Sequence, residues 1–348
     1  MASLNNVTDT EVVHPLPEWV RWQTRPFPDA NLLALIGSTP VLIDSGFVGH
    51  ATQTREWAHA QTGGAVQWVV NTHWHADHVG GNAELQAVGA GVAAAVHDAK
   101  AVARRDPGCC VAEYLDQPVR PYTVDRALAD GEVLPLGEAD WQVIAAPGHT
   151  PGHLCLWQPE ERLLVVGDAL SDYDVGWTNA ALDGPDAAAT ALASLDRLIG
   201  LDPRVLLTAH GPIPVDTPAA LAGARRRAQR LVDDPDGAVW YGIRRVFAYA
   251  LMIRGGVPLD SLTEYLLARA WLTDAAALLR RDPAGLAEEL VTGMRTAGAV
   301  VETDGRLRAA APHTEVPPAA LQQPWPRDWP PAAPASTAGS DDEDGAHR

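Results

Sequence analysis

The most chemically loaded stretch of the chain is His73-Trp74-His75-Ala76-Asp77-His78, which places four groups able to bind a metal within six residues. Imidazole nitrogen suits zinc and iron, and a carboxylate completes a mixed nitrogen and oxygen donor set. Three more residues of ligand type follow at a distance: His149 in APGHTPGH, Asp168 in VVGDAL and His210 in TAHGP. Each stands just past an apolar run and beside Gly or Pro. Together they predict a metal centre, and no Ser or Cys nucleophile stands out beside it.

The elements that must position these groups can be read from periodicity. AVQWVVNTH (Ala65 to His73) is a buried-strand pattern that ends in His73, and GGNAELQAVGA after it is helical. A bend between the two lets neighbouring side chains converge. Asn31 to Gly37 and Pro40 to Gly46 read as a hairpin, and so do His153 to Gln158 with Arg162 to Val166. VAAAVHD, Trp141 to Ala145 and Val205 to Gly211 are further strands, while Gly184 to Ile199 is an Ala- and Leu-rich helix. Ligand-type residues recur where strands end, on loops that the scaffold beneath would hold.

From about Leu221 the pattern turns helical and closes with AVVETDGRLRAA, a hairpin around Asp304-Gly305. Helices followed by a terminal hairpin suggest a small winged-helix-like domain. Beyond His313 a Pro- and Ala-rich stretch ends in DDEDGAHR, as a disordered acidic tail would. The expected division is therefore 1–220, 221–312 and 313–348.

NTHWHADHVGGN, GHTPGH, GDAL and AHGP closely resemble the motifs of the metallo-β-lactamase superfamily, and Asp44 in IDSG resembles its early Asp motif. The resemblance runs from about Ala30 to Pro212. It implies an α+β fold, a four-layer αββα sandwich with two divalent cations, zinc above all and iron or manganese otherwise, at one edge. By position, His73, His75 and His149 would hold the first cation, Asp77, His78 and His210 the second, and Asp168 would bridge them. Asp44 is either a turn residue or a support that hydrogen-bonds to the ligand loop. Two cations about 3.5–4 Å apart can lower the pKa of a shared hydroxide toward neutrality. The implied reaction is attack of that hydroxide on an ester, thioester or lactone carbonyl, with Asp77 and Asp168 catalytic. A bridging Asp speaks for glyoxalase II-like, lactonase-like and RNase-like members and demotes antibiotic hydrolysis, while the C-terminal helices and hairpin resemble the small domain of the lactamase-β-like group. RNA processing and mononuclear-iron persulfide dioxygenation are the alternatives.

The loop from Ser171 to Leu182 would overhang the site, with Tyr173 and Trp177, and Trp74 from the ligand string, as a substrate wall. His153, in the same motif as His149, reads as structural, and His97 reads as strand-end packing. His14, His50, His59, His313 and His347 read as surface residues, and Arg225 to Arg227 as a solvated helix face.

A formal net charge of −18, from 26 basic against 44 acidic residues, does not suit a polyanion partner, which needs clustered Lys and Arg. The partner expected is a small-molecule substrate, with a packing or dimerisation role for the C-terminal part and a possible homodimer. Three cysteines are too few for a disulfide framework and read as reduced thiols. The absence of a signal-like N-terminal pattern or an apolar spanning run predicts a cytoplasmic protein without a membrane segment.

Overall fold

The computed structural model describes residues 15–330 apart from residue 65, so His14, His347 and the acidic end of the tail lie outside the described residues. The strands form three sheets. The first orders β1 (Val20–Gln23), β2 (Leu32–Leu35), β3 (Val41–Ile43), β4 (Trp68–Val70), β5 (Gly91–Ala95) and β6 (Arg126–Leu128) side by side in chain order. The second holds β7 (Val133–Leu136), β8 (Ala139–Ala145), β9 (Leu154–Gln158), β10 (Leu163–Gly167) and β11 (Val205–Thr208), also as sequential neighbours. β3, β4 and β5 run parallel, as do β10 and β11, whereas the expected hairpins β2–β3 and β9–β10 are antiparallel.

Alternation along these strands accounts for four layers. Leu33, Ile43 and Val70 of the first sheet share one buried cluster with Val143, Leu156, Val165 and Leu207 of the second, so the sheets pack face to face. The intervening residues Ala34, Leu42, Val69 and Val92 point outward, under α1 (Ala51–Thr62), α2 (Ala76–Val79), α3 (Asn82–Gln86) and α4 (Val96–Arg104). α5 (Ala112–Leu115) and α6 (Ala180–Asp183) are short connectors. On the other side Ile144, Cys155, Leu164 and Leu206 pack under α7 (Ala187–Ile199) and α8 (Thr217–Asp233). The αββα sandwich read from the motifs is the architecture observed.

Residue 221 falls inside α8, whose Leu221, Ala224 and Ala228 belong to the sandwich's outer layer. A separate cluster begins with α9 (Pro235–Ile253) and includes α10 (Leu262–Leu267), α11 (Ala270–Leu279), α12 (Pro283–Thr296) and the small sheet of β12 (Val257–Pro258), β13 (Val300–Thr303) and β14 (Arg306–Ala309). β13 and β14 make the hairpin expected at Asp304-Gly305, both turn residues having positive φ. Asp116, buried just after α5, ties this part to the sandwich through Arg254 (2.6 Å), Arg269 (3.0 Å) and the Tyr265 hydroxyl (2.9 Å).

Two sequence expectations are corrected here. Residues 313–330, expected as the start of a disordered tail, dock on the first sheet's helical layer, with Val316 and Trp329 buried in its core cluster. The reason is compositional: Val316, Leu321, Trp325 and Trp329 supply apolar anchors within the Pro-rich stretch. His50, expected on the surface, is buried, with Nδ1 2.6 Å from Asp29 Oδ2 and Nε2 3.0 Å from the Glu315 carbonyl. His59 is exposed as expected, and His313, half-buried, bridges to Phe27. All three cysteines are free and buried. Among the described residues no helix is long and apolar enough to cross a membrane.

Candidate metal centre

The ligand-type residues meet at one edge of the sandwich, where β4, β8, β10 and β11 run into loops. His73 to His78 follow β4, and α2 begins at Ala76, so the bend turns Asp77 and His78 back toward His73. His149 lies in the turn between β8 and β9, Asp168 directly after β10, and His210 two residues past β11. Asn31 locks the two sheets together at this edge, its side chain donating to the carbonyls of Thr208 (2.9 Å) and Gly211 (2.8 Å).

The seven residues fall into overlapping sets whose donor atoms lie within 4.8 Å of one another: His73 with His75 and His149, Asp77 with His78 and His210, and Asp168 with His73 and His78. His75 Nδ1 stands 3.1 Å from His73 Nε2 and 3.0 Å from His149 Nε2. Asp168 lies between the sets. Its Oδ2 is 3.5 Å from His149 Nε2, and its Oδ1 is 3.4 Å from both His78 Nε2 and His210 Nε2. Asp77 Oδ2 is 3.3 Å from His210 Nε2.

The donor chemistry fits divalent cations. Burial, reinforced by neighbouring imidazoles, holds the pKa of His73 and His75 well below the ordinary histidine value, so their lone pairs are free. Burial works against the Asp168 carboxylate, yet His210 and His78 outweigh it and keep it ionised. For His78 and His210 burial is likewise overcome by the facing carboxylates, which raise both, so a cation entering there would displace a proton. His78 Nε2 and Asp168 Oδ1 are buried and lack a hydrogen-bond partner, the state expected of atoms whose partner is an ion.

Surrounding groups fix the donors. Asp44, in left-handed backbone after β3, accepts at Oδ2 from His78 Nδ1 at 2.8 Å and from the Thr72 hydroxyl at 2.8 Å, while Oδ1 accepts from the Thr72 N–H at 2.8 Å. It serves as both turn residue and support. His149 Nδ1 donates to the Trp177 carbonyl at 2.8 Å. His153 lies beside His149 with its Nε2 3.1 Å from the Asp168 N–H, which donates to it. Burial depresses the His153 pKa to about 3, which keeps that acceptor neutral. Gly167 must be glycine: its φ is +50°, and a Cβ would stand 2.7 Å from His153 Nε2.

A cavity of about 280 Å³ opens on His75, Asp77, Asp168 and His210. Tyr173 and Trp177 line it, as the overhanging loop predicted, and the Trp177 ring stacks on His75 with centroids 5.6 Å apart. Asn179 of that loop caps α6. Trp74 does not reach the cavity. Residues 73 and 75 face one way at the strand end, so Trp74 faces the other and is buried in the outer core against His97. His97 itself, expected as packing, is exposed in the first turn of α4 and pairs with the buried Asp98 at 2.9 Å. Arg225 and Arg226 are exposed, and Arg225 pairs with Asp196.

Sequence reasoning missed the opposite wall. Phe27 stacks on His210 at 4.7 Å, and α9 contributes Arg245, Val246, Tyr249 and Met252. No motif marks these positions. The signal available was a helix of nineteen residues, apolar enough to bury two faces.

The family model described as the metallo-beta-lactamase superfamily matches residues 27–210. A hydroxyacylglutathione hydrolase of Methylococcus capsulatus is 40% identical over 102 residues, covering 29% of this chain and 33% of that protein. A thioesterase of Emericella nidulans is 28% identical over 192 residues, covering 53% of this chain and 46% of its own. Such matches span between about a third and a half of these relatives' length. A metallo-beta-lactamase family protein of Thermus thermophilus superposes with a TM-score of 0.52 at 23% identity, over 85% of this chain and 100% of the other, which speaks for the fold.

Proposed function

The chain belongs to the metallo-beta-lactamase superfamily, and from that premise we propose that it is a hydrolase that opens an ester, thioester or lactone carbonyl at a centre of two divalent cations. The observation that carries this reading is the placement of Asp168, whose two oxygens face different histidine sets, Oδ2 toward His149 and Oδ1 toward His78 and His210. His73, His75 and His149 would hold one cation and Asp77, His78 and His210 the other, with Asp168 shared. Bound there, the cations would activate water at neutral pH and polarise the carbonyl oxygen.

The chain's own groups do the rest. Asp44 and the Trp177 carbonyl fix which nitrogen His78 and His149 present to the centre. Asp77 Oδ2, 3.3 Å from His210 Nε2, is placed to accept a proton and to orient an attacking water. Phe27, Trp177 and Tyr249 line the cavity and give the reacting carbonyl an aromatic surround. The thioester cleavage implied by the relatives' names supports a thioester as the first substrate to try.

Metal analysis of the purified protein, coupled to a panel of a thioester, a lactone, a β-lactam, a persulfide and a phosphodiester, tests the reading. The expected outcome is two cations per chain and turnover of the thioester or lactone alone. Asp168→Ala should lose metal and activity together. Full activity with two cations bound in that variant would overturn the bridging role.

A further inference from the structure

The cavity beside the donor cluster has an uneven chemistry. Its deep wall is made by Leu115, Leu170, Val175, Val246 and Met252, all buried, and aromatic faces are added by Phe27, Trp177 and Tyr249. Outside the donor cluster itself, the charged residues lining it are Asp174 and Arg245. These two close on each other as an ion pair, and the Tyr241 hydroxyl also donates to Asp174. The Arg245 guanidinium further lies over the Tyr241 ring, 3.3 Å from its centroid. Outside the donor cluster, the cavity therefore offers a ligand no unpaired cation. Burying an unpaired carboxylate in such surroundings is strongly unfavourable. Apolar contact with the wall is favourable in proportion to the area covered. Tyr173, which is 54% exposed, marks the rim.

Resting on the hydrolase reading above, we propose that the substrate's acyl group is uncharged and apolar and lies in this cavity against α9, while the carrier stays at the rim unrecognised. A glutathione carrier brings two carboxylates, for which the cavity has no free cation outside the donor cluster. Specificity would then lie in the acyl group. Ala248, half-buried on the α9 wall, would limit its length.

The test uses the full-length, metal-loaded protein and thioesters of one neutral carrier, N-acetylcysteamine, with acetyl, hexanoyl, phenylacetyl and succinyl groups. Hexanoyl and phenylacetyl should exceed acetyl in kcat/KM by about tenfold or more, and succinyl by about a hundredfold. Moving the hexanoyl group to glutathione should change kcat/KM less than about threefold, since a solvent-exposed carrier adds no paired contact. Equal turnover of succinyl, or a tenfold preference for the glutathione carrier, would overturn the proposal. Ala248→Phe should lower the hexanoyl-to-acetyl ratio about tenfold by filling the cavity. An unchanged ratio in that variant, with melting confirming a folded protein, would place the acyl group elsewhere. Should Ala248→Phe fail to fold, Ala248→Leu gives the same reading. If no ester or thioester turns over, the hydrolase reading falls on its own. Calorimetry with a ketone analogue, a methylene replacing the sulfur, then decides the cavity: weaker binding to the Ala248 variant supports it, and no binding to either protein overturns it.

Discussion

Asp44 never faces the cluster, yet three hydrogen bonds at 2.8 Å converge on it, from the Thr72 N–H and hydroxyl and from His78 Nδ1. It thereby holds the strand-end loop and the His78 ring in one arrangement, and turns His78 Nε2 toward Asp168. Asp44→Ala removes all three bonds without touching a donor atom. Metal affinity should fall about 10–100-fold, as is usual when a ligand's supporting carboxylate is lost. Chelator competition measures it, and an affinity equal to that of the parent protein would reduce Asp44 to a turn residue. Trp177 separates two roles that commonly coincide. It meets His149 through its backbone carbonyl and His75 through its ring. Trp177→Ala keeps the first contact and deletes the second, so metal content should hold while KM for an aromatic acyl substrate rises about three- to tenfold, the worth of one aromatic contact. A loss of metal in this variant would show the ring to be part of the donor support.

At the scale of elements, the docking of residues 313–330 rests on a buried clip. His50, immediately before α1, joins Asp29 and the Glu315 carbonyl, and Arg25 holds the other oxygen of Asp29 at 3.0 Å. Burial disfavours the His50 imidazolium, but the Asp29 bond and charge, aided by the Glu315 carbonyl, outweigh burial and the opposing Arg25, and raise its pKa. A raised folded-state pKa means stabilisation that is full below the ordinary histidine value and lost as pH climbs through the higher folded value. His50→Ala should cost about 3 kcal/mol at low pH, the lower end for breaking a buried pair, because Arg25 remains on Asp29. Urea titrations of parent and variant should show the gap narrowing as pH rises, and a gap independent of pH would mean that the pair is uncharged. None of this clip was legible in the sequence, where His50 had no constellation and the Pro-rich stretch carried the signature of disorder. The strands were legible because period-2 burial and Gly or Pro punctuation are local properties. The docking of residues 313–330, the stacking of Phe27 on His210 and the wall made by α9 depend on residues far apart in the chain, which leave no local periodicity. Trp74 shows the converse: its neighbours at 73 and 75 bring their rings together, yet the same alternation turns Trp74 itself away from the cavity.

Across the whole molecule, the centre is where both sheets and the C-terminal helices are answerable to one another. Its donors come from the ends of β4, β8, β10 and β11, two of them in the parallel pair β10–β11, and α9 closes the cavity from outside the sandwich. Three histidine nitrogens lie within 3.1 Å of a neighbour, and two carboxylates are packed among imidazoles, an arrangement that gains little from itself. Cations that bind only this assembled edge stabilise the fold by mass action, about 4 kcal/mol at a free concentration a thousand times the dissociation constant. Removing them by exhaustive chelation should therefore lower the melting temperature by on the order of 10 °C. Adding zinc, iron or manganese back should restore it in the parent protein. In Asp168→Ala the same titration should restore little, because the shared carboxylate is gone from both histidine sets. Melting temperatures that stay level while metal analysis shows the cations leaving would mean that the edge is held together by its loops alone, and that the seven side chains converge for a reason other than metal.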